Sequence, residues 1–115
     1  GCVGFCFGGE VANLMAVRER WLSAAVPYYG GWPTAEEAAD VKVPLQIHLA
    51  GLDDRVNGGW PAYKAALDEN RAEYEAYIYP GVNHGFHNDT TPRYDAEAAA
   101  LAWARTVEFF SLHLG

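Results

Sequence analysis

The sequence predicts an α/β fold in which about four parallel strands alternate with helices on both faces of the sheet. Short apolar runs bounded by glycine or proline alternate with helical patterns along the 115 residues. This alternation favours a parallel sheet with right-handed crossovers. There are no internal repeats and no linker, so the chain is expected to form one domain or part of one.

The elements follow from the pattern of apolar residues. The first helix, at residues 8–19, is predicted to begin just after the first strand. A second helix is predicted at residues 59–70, because Pro61 suits a first turn and Asn70 suits a helix end. A long final helix is predicted from about Asp95 to His113. Strands are predicted at residues 1–5, 24–29, 44–50 and 74–79.

The composition excludes several classes of protein. Half of the residues are hydrophobic, which argues against a disordered chain, and no apolar run approaches the roughly 18 residues of a membrane span. A formal net charge of −7 argues against binding to nucleic acid or to an anionic membrane surface. Cys2 and Cys6 are too close along one strand for an easy disulfide, which predicts a reducing, cytoplasmic compartment, although a preceding segment could carry a targeting signal.

The run Gly4-Phe5-Cys6-Phe7-Gly8-Gly9 has the pattern G-x-C-x-G between a predicted strand and a predicted helix. A turn sharp enough to present a side chain at the top of a sheet leaves no room for Cβ atoms beside it. Cys6 is therefore the first candidate nucleophile. The following helix would favour its thiolate through the helix dipole.

A base and an acid follow in later loops. Asp53 and Asp54 come directly after the third predicted strand, and His84 lies in a loop after the fourth. Functional groups of parallel sheets collect at these strand ends. The order nucleophile, acid, histidine is that of a strand-end catalytic triad.

The stretches GFCFGG, AGLDDRVNGGWPAY and YPGVNHGFHNDTTPRYD resemble the dienelactone hydrolase (carboxymethylenebutenolidase) family over the whole chain. The resemblance implies part of an α/β-hydrolase fold, with Cys6, Asp53 and His84 as the catalytic triad. The family spacing of Asp followed three residues later by Val favours Asp53, through Val56, over Asp54.

The resemblance implies hydrolysis of small esters, enol esters or lactones through an acyl-thioester intermediate. Cys6 would attack the carbonyl, His84 would relay the proton and Asp53 would orient the imidazole. The backbone N–H of Phe7 is the expected oxyanion donor. No cofactor is expected, and the partner would be a small-molecule substrate.

The resemblance further implies that residues 1–115 are the C-terminal portion of one α/β-hydrolase domain whose N-terminal half is absent, since such a domain is expected to have roughly 250 residues. One oxyanion donor would be lost with that half. The first strand would lack a neighbour, so a homo-oligomer or pairing with the N-terminal half is expected. The alternative function is a catalytically impaired hydrolase fragment that serves as an assembly or binding module.

Other residues have both functional and structural interpretations. Tyr29 and Trp32, with Tyr28, follow a strand and could line a substrate pocket or simply bury area. Asn88 stands where the best-known dienelactone hydrolases have an arginine that binds the substrate carboxylate, which places the dienelactone substrate in question; Arg93 is nearby but displaced.

Three further polar residues, His48, His87 and Asp89, are not part of the predicted triad. His84, His87 and Asp89 could ligate a metal, but a glycine-flanked loop does not fix their geometry, and no metal site is predicted. His48 lies within a strand and is interpreted as a buried core histidine.

Overall fold

In the computed structural model, which describes residues 1–114, four strands form one parallel sheet in the order β1-β2-β3-β4. Each lies within one residue, at either end, of the strand that the sequence predicts. The α/β prediction is therefore confirmed. The strands are β1 (Cys2–Phe5), β2 (Ala25–Tyr28), β3 (Leu45–Ala50) and β4 (Tyr74–Tyr79).

The three predicted helices are present, and two short helical segments were not predicted. The 3₁₀ helix Glu37–Asp40 follows a reciprocal cap, in which the Thr34 N–H donates to Glu37 Oε1 and the Glu37 N–H donates to Thr34 Oγ1. The other short helix depends on a single aspartate cap, described with the site below. The four α-helices are α1 (Phe7–Arg18), α2 (Asp54–Asn57), α3 (Trp60–Glu69) and α4 (Ala96–Leu114).

Helices cover both faces of the sheet, as predicted. Successive side chains of a strand point to opposite faces. In β3, Leu45 and Ile47 join one core cluster with α1 and α3, whereas His48 points the other way, toward α4. No helix in residues 1–114 is both long enough and apolar enough to span a membrane.

His48 is a fully buried core residue, which confirms its structural interpretation. Its Nδ1 lies 2.8 Å from Tyr79 Oη and its Nε2 lies 2.8 Å from Gln46 Oε1. Burial lowers the pKa of His48 to about 3, and the nearby positive charge of Arg105 acts in the same direction. The imidazole is therefore neutral at physiological pH and belongs to a polar network between β3 and α4.

Strand β1 lies at one edge of the sheet, with β2 as its only neighbour among residues 1–114. Several large apolar side chains are also exposed, among them Leu101 and Val107 of α4 and Trp21 after α1. An open edge of this kind can pair with another strand. It lies directly before Cys6, so any strand that covers it would border the candidate site.

Candidate active site

Cys6 lies in a strained turn between β1 and α1. Its backbone angles are φ 56° and ψ −119°, in a region that residues other than glycine rarely occupy. A Cβ atom at Gly4 would overlap the carbonyl oxygen of Gly8, and one at Gly9 would overlap the carbonyl oxygen of Tyr28. Gly4 and Gly9 are therefore required by close backbone packing. The expected crowding at Gly8, the second glycine of the G-x-C-x-G pattern, is wrong, because a Cβ there would meet nothing within 4 Å. The cysteine has the backbone conformation of a nucleophile turn.

Asp53 and His84 form a short polar pair at the carboxyl end of the sheet. His84 Nδ1 lies 2.5 Å from Asp53 Oδ2. The other carboxylate oxygen of Asp53 accepts the Val56 N–H at 3.2 Å, which caps α2 and holds the carboxylate in place. Asp53 is only 7% exposed, whereas Asp54 is exposed and begins α2. The described contact of His84 is with Asp53 and not with Asp54.

Cys6 and His84 line the same cavity, which has a volume of about 380 Å³ and is called the histidine cavity below. No hydrogen bond among residues 1–114 joins Cys6 Sγ to His84. The structure therefore brings the three predicted triad residues to one place without a hydrogen bond between the sulfur and the imidazole. The full lining comprises Cys6, Phe7, Glu10, Tyr29, Gly31, Trp32, Arg55, Val56 and His84.

Two of the three aromatic residues predicted after β2 line the histidine cavity, and the third does not. Tyr29 and Trp32 line the histidine cavity, and the Trp32 indole N–H donates to the Val56 carbonyl at 2.7 Å. A pocket role for Tyr28 is wrong, because Tyr28 does not line either cavity at Cys6 and its hydroxyl lies 2.7 Å from Thr106 Oγ1. Tyr29 has φ 38°, so the chain leaves the strand path there.

Phe7 is the first residue of α1. The N–H groups in the first turn of a helix have no intrahelical acceptor. The Phe7 N–H, next to Cys6, therefore has no acceptor within α1. The Phe7 side chain is 77% exposed.

Asn88 borders Cys6 from a second side. A cavity of about 340 Å³, the asparagine cavity below, is lined by Phe5, Cys6, Tyr29, His87 and Asn88. Asn88 Oδ1 accepts the Thr90 N–H at 3.0 Å, which fixes the loop. Cys6 thus lies between two cavities, one of which contains His84.

The charges around Cys6 do not leave it as a thiolate. Burial raises the pKa of the Cys6 thiol, although the positive charges of Arg93 and Arg55 oppose the shift. The raised pKa means that Cys6 needs a base to become a nucleophile, and the effect of burial opposes that expected from the helix dipole. Sequence reasoning missed Arg55, whose only signal was its position two residues after Asp53.

No group of three or more metal-ligating side chains occurs in residues 1–114. His87 packs its ring against Phe5 at 4.9 Å between centroids. His87 also lines the asparagine cavity. Cys2 and Cys6 are both free thiols.

Comparison with known proteins identifies the family. The profile described as "Dienelactone hydrolase family" matches residues 1–114. The chain belongs to this family.

Individual relatives agree with this assignment. A protein of Saccharolobus solfataricus named "putative carboxymethylenebutenolidase" is 36% identical over 93% of this chain and 42% of its own length. A crystal structure titled "putative dienelactone hydrolase", from Klebsiella pneumoniae, has a TM-score of 0.89 and 27% identity, over 95% of this chain and 50% of that one. A dienelactone hydrolase-like promiscuous phosphotriesterase from metagenomic libraries shares the fold at a TM-score of 0.85 and 23% identity, over 96% of this chain and 51% of its own. The chain therefore spans about half the length of the relatives it matches.

Proposed function

We propose that this chain carries the catalytic triad of a hydrolase that cleaves small esters, enol esters or lactones. Cys6 is the nucleophile, His84 the base and Asp53 the residue that orients the imidazole. The observation that carries this proposal is the 2.5 Å contact between His84 Nδ1 and Asp53 Oδ2, beside a cysteine in a strained turn on the same cavity.

The hydrogen bond to Asp53 decides which ring nitrogen of His84 can act as the base. With Nδ1 hydrogen-bonded to Asp53, the other ring nitrogen of His84 is the one available to accept a proton. It takes the Cys6 proton as Sγ attacks the carbonyl carbon, and the Phe7 N–H stabilises the resulting oxyanion. The C–O bond then breaks, His84 returns the proton to the alcohol, and water hydrolyses the thioester with His84 again as base.

The assembly-module alternative does not account for this arrangement. A surface that only binds a partner needs neither a capped, nearly buried carboxylate on a histidine nor a cysteine at positive φ between two cavities. Such strain is retained where it serves a site. We therefore favour catalysis.

Labelling with iodoacetamide and peptide mapping tests the nucleophile. We expect Cys6 to be modified faster than Cys2, and p-nitrophenyl acetate to leave an acetyl group on Cys6. Cys6→Ala should abolish that adduct, and Cys2→Ala, which removes the other free thiol, is the matched control. Preferential modification of Cys2, or acetylation that persists in Cys6→Ala, would contradict the assignment.

A further inference from the structure

A second cavity, of about 470 Å³, lies next to the asparagine cavity and shares Phe5 and His87 with it. Its other walls include Tyr94, Trp103 and three alanines of the first turns of α4, of which Ala100 is exposed. The two adjacent cavities are together called the groove below, and Cys6 lines the end formed by the asparagine cavity.

The groove is largely aromatic and apolar. The His87 ring lies 4.9 Å from the Phe5 ring and 5.8 Å from the Trp103 ring, measured between centroids. Burial lowers the pKa of His87, so its imidazole adds no positive charge near neutral pH. The only charged residue in the lining is Asp89, which repels an anionic ligand.

The position of His84 decides which part of an ester can enter the groove. The leaving alcohol must lie within reach of the imidazole that returns its proton. His84 lines the histidine cavity and does not line either cavity of the groove. The alcohol portion therefore belongs in the histidine cavity, which leaves the asparagine cavity, also lined by Cys6, for the acyl portion.

We propose that the groove binds a neutral, extended apolar acyl chain of the ester that Cys6 attacks. This assignment rests on the proposed hydrolase function and adds the substrate class. Attack by Cys6 Sγ forms the C–S bond, the C–O bond breaks, and the acyl chain stays in the groove as the thioester while the alcohol leaves with the proton from His84. No lysine or arginine lines either cavity of the groove, so no cation within it holds an acyl carboxylate, and Arg93, whose charge acts on Cys6, lies outside the lining.

The test compares acylation of Cys6 by p-nitrophenyl acetate, p-nitrophenyl hexanoate and mono-p-nitrophenyl adipate, followed by p-nitrophenol release and intact mass. A fully buried methylene contributes about a fourfold gain, so four additional methylenes in a half-open groove should make the hexanoate about tenfold faster than the acetate. The adipate ester, with its terminal carboxylate, should be slower than the hexanoate.

Ala100→Trp fills the groove from an exposed position, and Ala104→Trp is the matched control one turn further along α4, outside the lining. We expect Ala100→Trp to lower the hexanoate-to-acetate ratio several-fold and Ala104→Trp to keep it. Acylation with no chain-length preference, a preference for the adipate, or equal ratios in both variants would overturn the groove and leave the proposed function intact.

Two other outcomes have different meanings. If Cys6 is not acylated by any of the esters, the proposed function fails, and the acyl assignment fails with it. If Ala100→Trp changes the molecular mass in light scattering while the ratio stays constant, the groove is an interface between copies of the chain, which also overturns the assignment.

Discussion

Replacing His48 with glutamine should remove much of the acid sensitivity of the fold. His48 is fully buried, both of its ring nitrogens are hydrogen-bonded, and its pKa is lowered to about 3. In the unfolded chain a histidine has a pKa of about 6.5. Between these two values the unfolded state binds a proton that the folded state rejects.

The sign and size of the effect follow from this difference. Stability from neutral His48 is fully present above pH 6.5 and is lost as the pH falls toward 3, with a limiting slope of about 1.4 kcal/mol per pH unit. Between pH 7 and pH 5 the loss is about 2 kcal/mol, because the unfolded histidine gains most of a proton over that range while the folded one gains almost none.

Urea denaturation at several pH values measures this loss. His48→Gln has no group that titrates in this range, so the free energy of unfolding of the native chain should fall by about 2 kcal/mol more than that of the variant between pH 7 and pH 5. His113→Gln, near the C-terminal end of α4, is the matched control for the loss of one histidine. His87, whose pKa burial also lowers, is present in all three proteins and cancels in the comparison. A difference between native and His48→Gln that does not change with pH would refute the reasoning.

Three other outcomes are expected. Asp53→Asn should slow acylation of Cys6 by p-nitrophenyl acetate by about a thousandfold or more, because the amide no longer holds the correct imidazole tautomer. Asp54→Asn should leave the acylation rate unchanged, and equal effects of the two variants would contradict the role of Asp53. Gly4→Ala should lower the free energy of unfolding by about 2 kcal/mol, because the new Cβ overlaps the Gly8 carbonyl. Gly8→Ala should not be destabilising, because its Cβ meets nothing within 4 Å. Urea denaturation that ranks the two variants the other way would disprove the packing argument. The open edge of β1 and the exposed apolar side chains should make the isolated chain associate, so light scattering at micromolar concentration should give a mass above 12.6 kDa, and a monomer with cooperative unfolding would exclude this.

The sequence alone determined the strand positions, the three longer helices and the strained turn at Cys6. These features depend on local rules. Apolar runs bounded by glycine and proline define buried parallel strands. The steric requirement of G-x-C-x-G is confirmed by the overlap at Gly4 but is wrong at Gly8, where a Cβ would meet open space. His48 as a core residue was predictable for the same reason, since a polar residue within a buried strand must be satisfied internally.

Tertiary structure decided which neighbours the loops bring together. Tyr28 and Tyr29 are adjacent in sequence, yet one is buried against α4 and the other lines the histidine cavity, because a positive φ at Tyr29 takes the chain out of the strand. Arg55 lies in α2 and Asn88 in the loop after β4, so their distances to Cys6 depend on how these two segments pack. The raised pKa of the Cys6 thiol likewise depends on tertiary structure, because burial outweighs the opposing charges of Arg93 and Arg55, both distant in the chain.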